Sequence, residues 1–417
     1  MTRNRWPWKI LFSAIFIDLL IGVIYAWSVF SQGLTELWGW SNVAASAPYS
    51  VNQVFYAVSM IAGGFLVDRY GPKMVIRLSA LLFAVGMVGS GFSYTPFWMC
   101  FFFGFCVGTA VSLSYISALA VCMRWIPNRK RGLVSGLVIC AFAMTSVYMS
   151  PLISLLIRHF GLTATFCAIG ALIVPVLLIC SCILRDPPPD YDMDACFPVE
   201  KGKKVPLENG RDMGWREMLK TRGFWMLFVL MILVGGNNLA MNSQMTHIIE
   251  LELGLTQTAI FVSLFSLGNC LIRPFCGLVS DHFPRHLVLG IALLIAASNV
   301  FLFLVYASKA AFMVGSVLFG VTYGCFITLF PVFTSEFFGT RQFGANYGIV
   351  GLSVIPAALA PIIAGRIVDQ TGSYQLMYVL FGSLVVIGML LAFSLKRAEA
   401  RLPQAKGEEN LPEQEEA

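Results

Sequence analysis

The sequence has few charged residues. Asp, Glu, Lys and Arg make up 12% of its 417 residues, whereas soluble globular domains carry about 25%. Apolar residues make up 58%, and the mean hydropathy is +0.77. Because such a chain cannot cover its own surface with polar groups in water, the composition excludes a soluble enzyme, a nucleic-acid-binding protein and a disordered scaffold.

The sequence also lacks the short alternating segments of a β-barrel, since its apolar runs are continuous over about 20 residues. This predicts an all-α, polytopic membrane protein. We mark twelve transmembrane segments, near residues 9–31, 45–67, 74–94, 97–122, 132–157, 162–184, 222–248, 256–280, 286–307, 311–335, 343–366 and 374–395.

Motifs of catalysis and of cofactor binding are missing from the sequence. It contains no nucleotide-binding loop of the G-x-x-x-x-G-K-[ST] type, no Gly-x-Ser-x-Gly and no His-Glu-x-x-His. The four histidines have no metal-ligand spacing, and the 11 cysteines include no C-x-x-C pair. We therefore predict no enzyme, cofactor or metal, and we interpret most cysteines as small buried apolar residues.

The only long polar stretch divides the chain. We predict an N-terminal six-helix bundle over 1–184, a cytoplasmic linker over 185–221, a C-terminal six-helix bundle over 222–396 and a disordered cytoplasmic tail over 397–417. With both termini inside, all but four of the 28 Lys and Arg residues lie on the cytoplasmic side, the exceptions being Arg158, Arg273, Lys309 and Arg366. This predicts a multi-pass plasma-membrane protein with cytoplasmic termini and an uncleaved first segment.

The two halves repeat each other. The loop after the second segment reads GFLVDRYGPK over 64–73, and the loop after the eighth reads GLVSDHFPR over 277–285. Asp68 and Asp281 are therefore 281 − 68 = 213 residues apart. Weaker echoes occur every three helices, and nested repeats of this kind are typical of transporters that bind substrate between their halves.

The first of these loops resembles a family signature. The pattern G-x-x-x-D-R-x-G-x-K, formed by Gly64, Asp68, Arg69, Gly71 and Lys73, resembles the loop between helices 2 and 3 of the major facilitator superfamily. The resemblance covers the whole chain and implies that fold, with twelve helices in two pseudo-symmetric bundles. We expect these residues to serve conformational switching and not substrate binding. Asp68 is expected to pair with Arg69 or with a helix N-terminus across the interface between the halves, and Asp281 to do the same in the second half, in ties that break as the halves rock.

Helix 1 gives a closer resemblance. Its segment GVIYAWSVF over 22–30, together with Arg273 inside helix 8, is similar to the oxalate:formate antiporter family, a relative of the monocarboxylate transporters. That family moves small carboxylates by antiport or by proton symport. Two departures stand out: Val354 occupies the place of a second essential cation, a lysine, and Asn269 that of an aspartate in many monocarboxylate transporters.

Arg273 is the most informative residue. It precedes Asp281 by eight residues, or about 12 Å of helix, and an arginine at that depth costs about 2.5–3.5 kcal/mol or more. Polar residues recur around it at helical spacing, which indicates a cavity wall. Its guanidinium matches a carboxylate. We expect it to bind substrate; a structural arginine paired with an acid on another helix is the alternative.

Asp18 is the acidic residue deep in the first segment. Three roles stay open: a proton-coupling carboxylate, an ion-pair partner of Arg273, and a structural hydrogen-bonding group. Further substrate-binding candidates are polar or aromatic, although each tyrosine could equally be a core or interfacial residue. They are Tyr25, Gln53, Tyr115, Tyr148, Asn269 and Tyr323. The resemblance implies binding positions for Tyr25 and Gln53 and an aromatic position for Tyr323.

The sequence thus predicts a monomeric secondary transporter of small organic anions, working by alternating access in a lipid bilayer. One binding cation favours monocarboxylates of the lactate, pyruvate and formate class, because a dianion would leave about one charge uncompensated. Proton symport is the first hypothesis for coupling, and carboxylate exchange is the second. A multidrug exporter and a non-transporting membrane sensor are the remaining alternatives.

Overall fold

Twelve membrane helices form two six-helix bundles. The computed structural model describes residues 6–40, 42–188, 191, 212–255 and 259–400, and all regular elements in this part of the chain are helical. Ten helical stretches there are long and apolar enough to cross a membrane. One of them, Asn128–Ile183, contains two helices, and the twelfth comes from a helix divided into shorter segments.

The N-terminal bundle contains helices α1 to α6. Helices α5 and α6 share the stretch Arg131–Ile183 and are separated at Gly161, where the backbone has φ +76°. Glycine adopts this angle without the steric cost that other residues meet. The other bounds are α1 (Trp6–Ile21, Gly22–Ala26, Trp27–Trp38), α2 (Asn42–Tyr70), α3 (Pro72–Gly91) and α4 (Pro96–Met99, Cys100–Val107, Gly108–Trp125).

The C-terminal bundle contains helices α7 to α12, preceded by a four-residue helix, Trp215–Met218. The predicted eleventh segment is not one continuous helix; it is divided around Ser353 and Leu359, with prolines in both later pieces. The bounds are α7 (Arg222–Leu230, Met231–Gly235, Gly236–Leu253), α8 (Ala259–His282), α9 (Arg285–Leu302), α10 (Lys309–Phe338), α11 (Phe343–Gly351, Val354–Ala357, Ala360–Thr371) and α12 (Gln375–Ala400).

The predicted domain boundaries fall in part outside the described residues. Of the linker, residues 189–190 and 192–211 lie outside them, and so does the tail from 401 onward. The described part of the linker packs on both bundles: Trp125 donates to the carbonyl of Arg185 at 2.6 Å, and Thr340 N–H donates to Asp212 at 3.1 Å. The exact bounds of the bundles, the linker and the tail stay predictions.

Large apolar side chains cover the outside of the bundle. Phe97 is 72% exposed and Phe275 is 65% exposed. In water this would be unfavourable, whereas in a bilayer these side chains meet lipid. The polar groups of the spans therefore concentrate between the helices, where they can serve a transport pathway.

Two symmetry-related helices leave the α-helical geometry near their middle. Gly22–Ala26 in α1 is a 3₁₀ segment, and Met231–Gly235 in α7 is a π segment. A shift of about 212 residues, taken from the loop repeat, places the first on 234–238, which overlaps the second at residues 234–235. Irregular turns at matching positions of two halves are a mark of transporter substrate sites.

The halves pack closely at the end of the molecule where the α2–α3 and α8–α9 loops lie. We call it the motif end. There α2 packs on α11, because a Cβ on Gly64 would clash with the carbonyl of Gly344. Helix α5 packs on α8 in the same way, because a Cβ on Gly277 would clash with the carbonyl of Gly132. The conformation is therefore closed at the motif end.

Candidate functional site

Arg273 lies between the two bundles. It is 4% exposed, and its Nη1 donates a 2.6 Å hydrogen bond across the interface to the carbonyl of Ile139 on α5. Its Nε and Nη2 donate to Oδ1 of Asn269, at 3.2 and 3.0 Å. Asn269 is one turn earlier on α8, so it orients the guanidinium, and its side-chain oxygen is occupied by these hydrogen bonds.

The guanidinium keeps donors for a ligand. Of the five N–H groups that arginine carries, three make these bonds. No acidic residue forms an ion pair with Arg273 in the part of the chain that is described. The site is therefore a buried positive charge with about two donors to spare, which is the arrangement that an incoming anion requires.

Six tyrosines from both bundles interact with this charge or with one another. The Arg273 charge reaches the hydroxyl groups of Tyr25, Tyr323 and Tyr347 electrostatically. The remaining three interact with these or with one another. We call the set the tyrosine cluster: Tyr25, Tyr49, Tyr56, Tyr115, Tyr323 and Tyr347.

Phe142 on α5 organises the N-terminal side of the cluster. The rings of Tyr25, Tyr115 and Tyr56 lie 5.2, 5.5 and 6.5 Å from it. Tyr25 is nevertheless 44% exposed. Its electrostatic neighbours come from both bundles, and the region between the bundles is where an alternating-access transporter holds its substrate.

The other predicted binding residues take different positions. Gln53 donates to the hydroxyl of Tyr49 at 2.9 Å, so it reaches the cluster through that side chain. Tyr148 donates instead to the carbonyl of Leu19 on α1. Its hydroxyl is thus engaged by the helix packing and not by the group around Arg273.

Asp18 is fully buried on α1. Neither of its oxygens has a hydrogen-bond partner among the described residues. It interacts electrostatically with Tyr56 on α2 and with Tyr115 and Cys122 on α4, none of which is cationic. The suggested ion pair with Arg273 is therefore absent from this conformation of the described chain. An unpaired, buried carboxylate is costly, so this environment favours the neutral acid.

At the motif end, Asp68 ties α2 to the other bundle. Its oxygens accept from the N–H groups of Gly344 and Ala345, at 3.2 and 2.8 Å, at the start of α11. Arg124 on α4 forms the ion pair with it. Of the two partners expected for Asp68, the helix N-terminus is present and Arg69 is not, since Arg69 lies over the ring of Tyr70.

Asp281 makes the symmetric tie. It accepts from the N–H groups of Gly132 and Leu133 at the start of α5, both at 2.8 Å. Arg285 lies 3.7 Å away and also pairs with Glu336 at 3.0 Å. Each bundle thus inserts a carboxylate into the first turn of a helix of the other, where the helix dipole favours negative charge.

Comparisons with known proteins agree with this architecture. The profile of the Major Facilitator Superfamily matches residues 10–354 and 246–415 of the chain. The chain belongs to the Major Facilitator Superfamily. It is 29% identical to the oxalate:formate antiporter of Oxalobacter formigenes over 83% of this chain and 80% of that one. It is 24% identical to monocarboxylate transporter 2 of Mus musculus over 92% and 82% of the two chains.

Solved structures of this superfamily share the fold. The crystal structure of FucP in the outward conformation has a TM-score of 0.69 at 14% identity and covers 94% of this chain and 99% of that one. The proton:xylose symporter XylE, bound to a bromodeoxyglucose, has a TM-score of 0.70 at 14% identity, with 96% and 100% covered. The protein is accordingly a multi-pass transporter of the Major Facilitator Superfamily.

Three of the six clustered tyrosines, Tyr49, Tyr56 and Tyr347, were not predicted from the sequence of this Major Facilitator Superfamily member. Tyr49 and Tyr56 share a face of α2 with the predicted Gln53, at spacings of 4 and 3, so helical periodicity could have found them. Tyr347 on α11 interacts through its hydroxyl with Tyr115 on α4, a contact between the bundles that no local pattern announces.

The ion-pair partner of Asp68 at the motif end was also not predicted from the sequence. Arg124 joins Asp68 to Asp186, which it contacts at 2.5 Å, and to the carbonyl of Thr340 at 3.3 Å. Gly71, by contrast, is required by geometry: its φ of +78° turns the chain from α2 into α3. Lys73 in the first turn of α3 is exposed.

Proposed function

We propose that this transporter carries small monocarboxylates of the lactate, pyruvate and formate class by alternating access. The observation that carries the proposal is the state of Arg273: a buried guanidinium with spare donors, without an acidic partner in the described chain, and within electrostatic reach of tyrosine hydroxyls. A carboxylate satisfies both the charge and the donors.

Charge balance favours a monoanion. One carboxylate neutralises Arg273, whereas a dianion would bring one further negative charge into a low-dielectric space. Val354 stands where a lysine would supply the second positive charge in the oxalate:formate antiporter family. We infer that the exchange of this cation for an apolar side chain restricts the substrate to single charges.

Asp18 supplies the proton in this proposal. In the conformation closed at the motif end it is buried without a hydrogen-bond partner among the described residues, which favours the neutral acid. Opening of the motif end admits water and lets Asp18 release its proton together with the substrate. Transport of one proton with one monocarboxylate then moves no net charge across the membrane, which suits a pathway with a single cation.

The carboxylate ties at the motif end act as the inner gate. Asp68 and Asp281 stabilise the closed state through about five short contacts, and rocking of the bundles breaks them. We place this end in the cytoplasm, with both chain termini, in the plasma membrane. One chain holds both bundles and all four helices that the motif-end ties connect, so we propose that it works as a monomer.

A second candidate is obligatory exchange of carboxylates. It is favoured by the 29% identity to a protein named as an oxalate:formate antiporter. In this case Asp18 would keep its proton throughout, and the empty transporter would not reorient because Arg273 would be occluded without an anion to compensate its charge.

Uptake by proteoliposomes separates the two. Labelled pyruvate or lactate is offered to empty and to substrate-loaded vesicles, each with and without an inward proton gradient. Gradient-driven accumulation in empty vesicles supports proton symport. Uptake confined to loaded vesicles supports exchange. If neither pyruvate, lactate nor formate enters vesicles in which the purified protein is folded, the monocarboxylate proposal is wrong.

A further inference from the structure

Helices α5 and α8 cross with their backbones in contact. The partners run in opposite order along the two helices: Gly132 meets Gly277, and Gly136 meets the main chain of Arg273. On α5 the contact positions are four residues apart, which puts them on one face. Small residues at this spacing let two helices approach closely.

The next position of this stripe is Cys140, and it meets Cys270. The two sulfur atoms are 3.5 Å apart, and Cys140 also donates to the carbonyl of Cys270 at 3.3 Å. Cys270 reaches back to the carbonyl of Cys140 at 3.9 Å. Both are free thiols. One belongs to each bundle, so the pair joins the two moving parts of the transporter.

We propose that Cys140 and Cys270 are a redox modification site, at which an oxidant forms a disulfide that joins the bundles and holds the motif end closed. The site is suited to this reaction because the two sulfur atoms lie 3.5 Å apart on helices whose backbones cross in contact, and a disulfide needs closely spaced backbones, with Cα atoms within about 7 Å. The bridge does not depend on the substrate. Its effect on transport rests on the alternating access proposed above.

A peroxide supplies the oxidising equivalents. Cys270 is the less buried of the two thiols, so its thiolate attacks hydrogen peroxide, forming an S–O bond and releasing hydroxide. The Cys140 thiolate then displaces hydroxide from the sulfenic acid and forms the S–S bond. Overall, two thiols lose two protons and two electrons, and one hydrogen peroxide becomes two molecules of water.

A second thiol pair gives a matched control. Cys276 on α8 donates to the carbonyl of Cys325 on α10 at 3.8 Å. Both residues belong to the C-terminal bundle, so oxidation there joins two helices that move together. The bundles are linked covalently by the first pair and not by the second.

The bridge is detected by cutting the chain between the bundles. A site-specific protease sequence is inserted within 192–211 of the full-length protein, transport by this form is verified, and the protein in proteoliposomes is treated with hydrogen peroxide, then with the protease. On a non-reducing gel we expect the two fragments to stay joined, and to separate with dithiothreitol. Cys140→Ser and Cys270→Ser should separate without reductant, and Cys276→Ser should stay joined.

Transport is measured on the same samples. Peroxide should lower pyruvate exchange at least 5-fold, dithiothreitol should restore it, and both Cys140→Ser and Cys270→Ser should resist inhibition; Cys140→Ala and Cys270→Ala replace any serine variant that does not fold. The proposal fails if the wild-type fragments separate after oxidation, if Cys140→Ser stays joined, or if the bridged protein exchanges substrate at the unbridged rate. If pyruvate is not a substrate, the gel still decides on the bridge.

Discussion

Arg273 on α8 donates a 2.6 Å hydrogen bond to the main-chain carbonyl of Ile139 on α5. The residue that we expect to bind the anion is therefore also bonded to the opposite bundle. A carboxylate that recruits the guanidinium acts directly on a contact between the two moving parts. Substrate binding and the α5–α8 contact are thus coupled through one side chain.

Arg273→Lys should lower the initial rate of uptake by about 10-fold to 100-fold. Lysine keeps the charge, but its compact ammonium lacks the planar set of donors with which arginine can bond Asn269, Ile139 and a carboxylate at the same time. Each hydrogen bond to a charged group contributes about 1.5–3 kcal/mol, and a loss of about 1.4 kcal/mol corresponds to a tenfold loss of affinity. The measurement is uptake at matched protein density. Arg69→Lys, at the exposed end of α2, is the control. Equal uptake rates for the two variants would show that the planar donor geometry of Arg273 is not needed.

Asp18→Asn should uncouple transport from the proton gradient. The amide has nearly the shape of the neutral acid, so folding and carboxylate exchange should persist, with exchange within about 3-fold of wild type. Gradient-driven accumulation in empty vesicles should be lost because no proton can be released. Glu217→Gln, outside the membrane spans, is the control. Accumulation that still follows the gradient in Asp18→Asn would assign the proton to another group.

Much of the fold was predictable because the bilayer imposes a length on each span. Hydropathy predicts the twelve segments. The loop motif predicts the repeat and the position of Asp68. The division of α11 was not predicted, since the apolar run continues through Val354 and the breaks depend on local hydrogen bonding and on packing against α7, as where Gly236 approaches Ala360.

The site was predictable where a residue is expensive in a membrane. Arg273 and Asp18 stand out because charged side chains rarely enter apolar helices. Tyr347 gives no such signal, since tyrosine is common in membrane helices. The pairing of Asp68 with Arg124, 56 positions later, depends on how α2 and α4 pack, which sequence spacing does not reveal.

Asp68→Asn should loosen the motif end more than Arg69→Gln does. The carboxylate serves two N–H groups of α11 and the Arg124 guanidinium, whereas an amide has one acceptor oxygen and no charge. We expect hydrogen exchange at Gly344 and Ala345 to become about 10-fold faster or more, because each charged hydrogen bond contributes about 1.5–3 kcal/mol. Arg69→Gln should leave these amides nearly unchanged.

The Gly64→Ala substitution tests whether close packing of α2 on α11 is needed to close the motif end. The added Cβ would clash with the main-chain carbonyl of Gly344, and a backbone atom cannot move aside as a flexible side chain can, so α2 and α11 must separate. We expect a shift toward the conformation open at the motif end, seen as faster hydrogen exchange at Ala345, with slower net uptake.

Gly365→Ala provides the matched control, because its Cβ would meet only the end of Gln244, at 3.7 Å, an ordinary contact. Both substitutions add one methyl group inside a helix and gain the same helix propensity, so a difference between them isolates the contact with α11. Should Gly64→Ala and Gly365→Ala show equal exchange at Ala345 and equal uptake, close packing of α2 on α11 would not be a condition for closing the motif end.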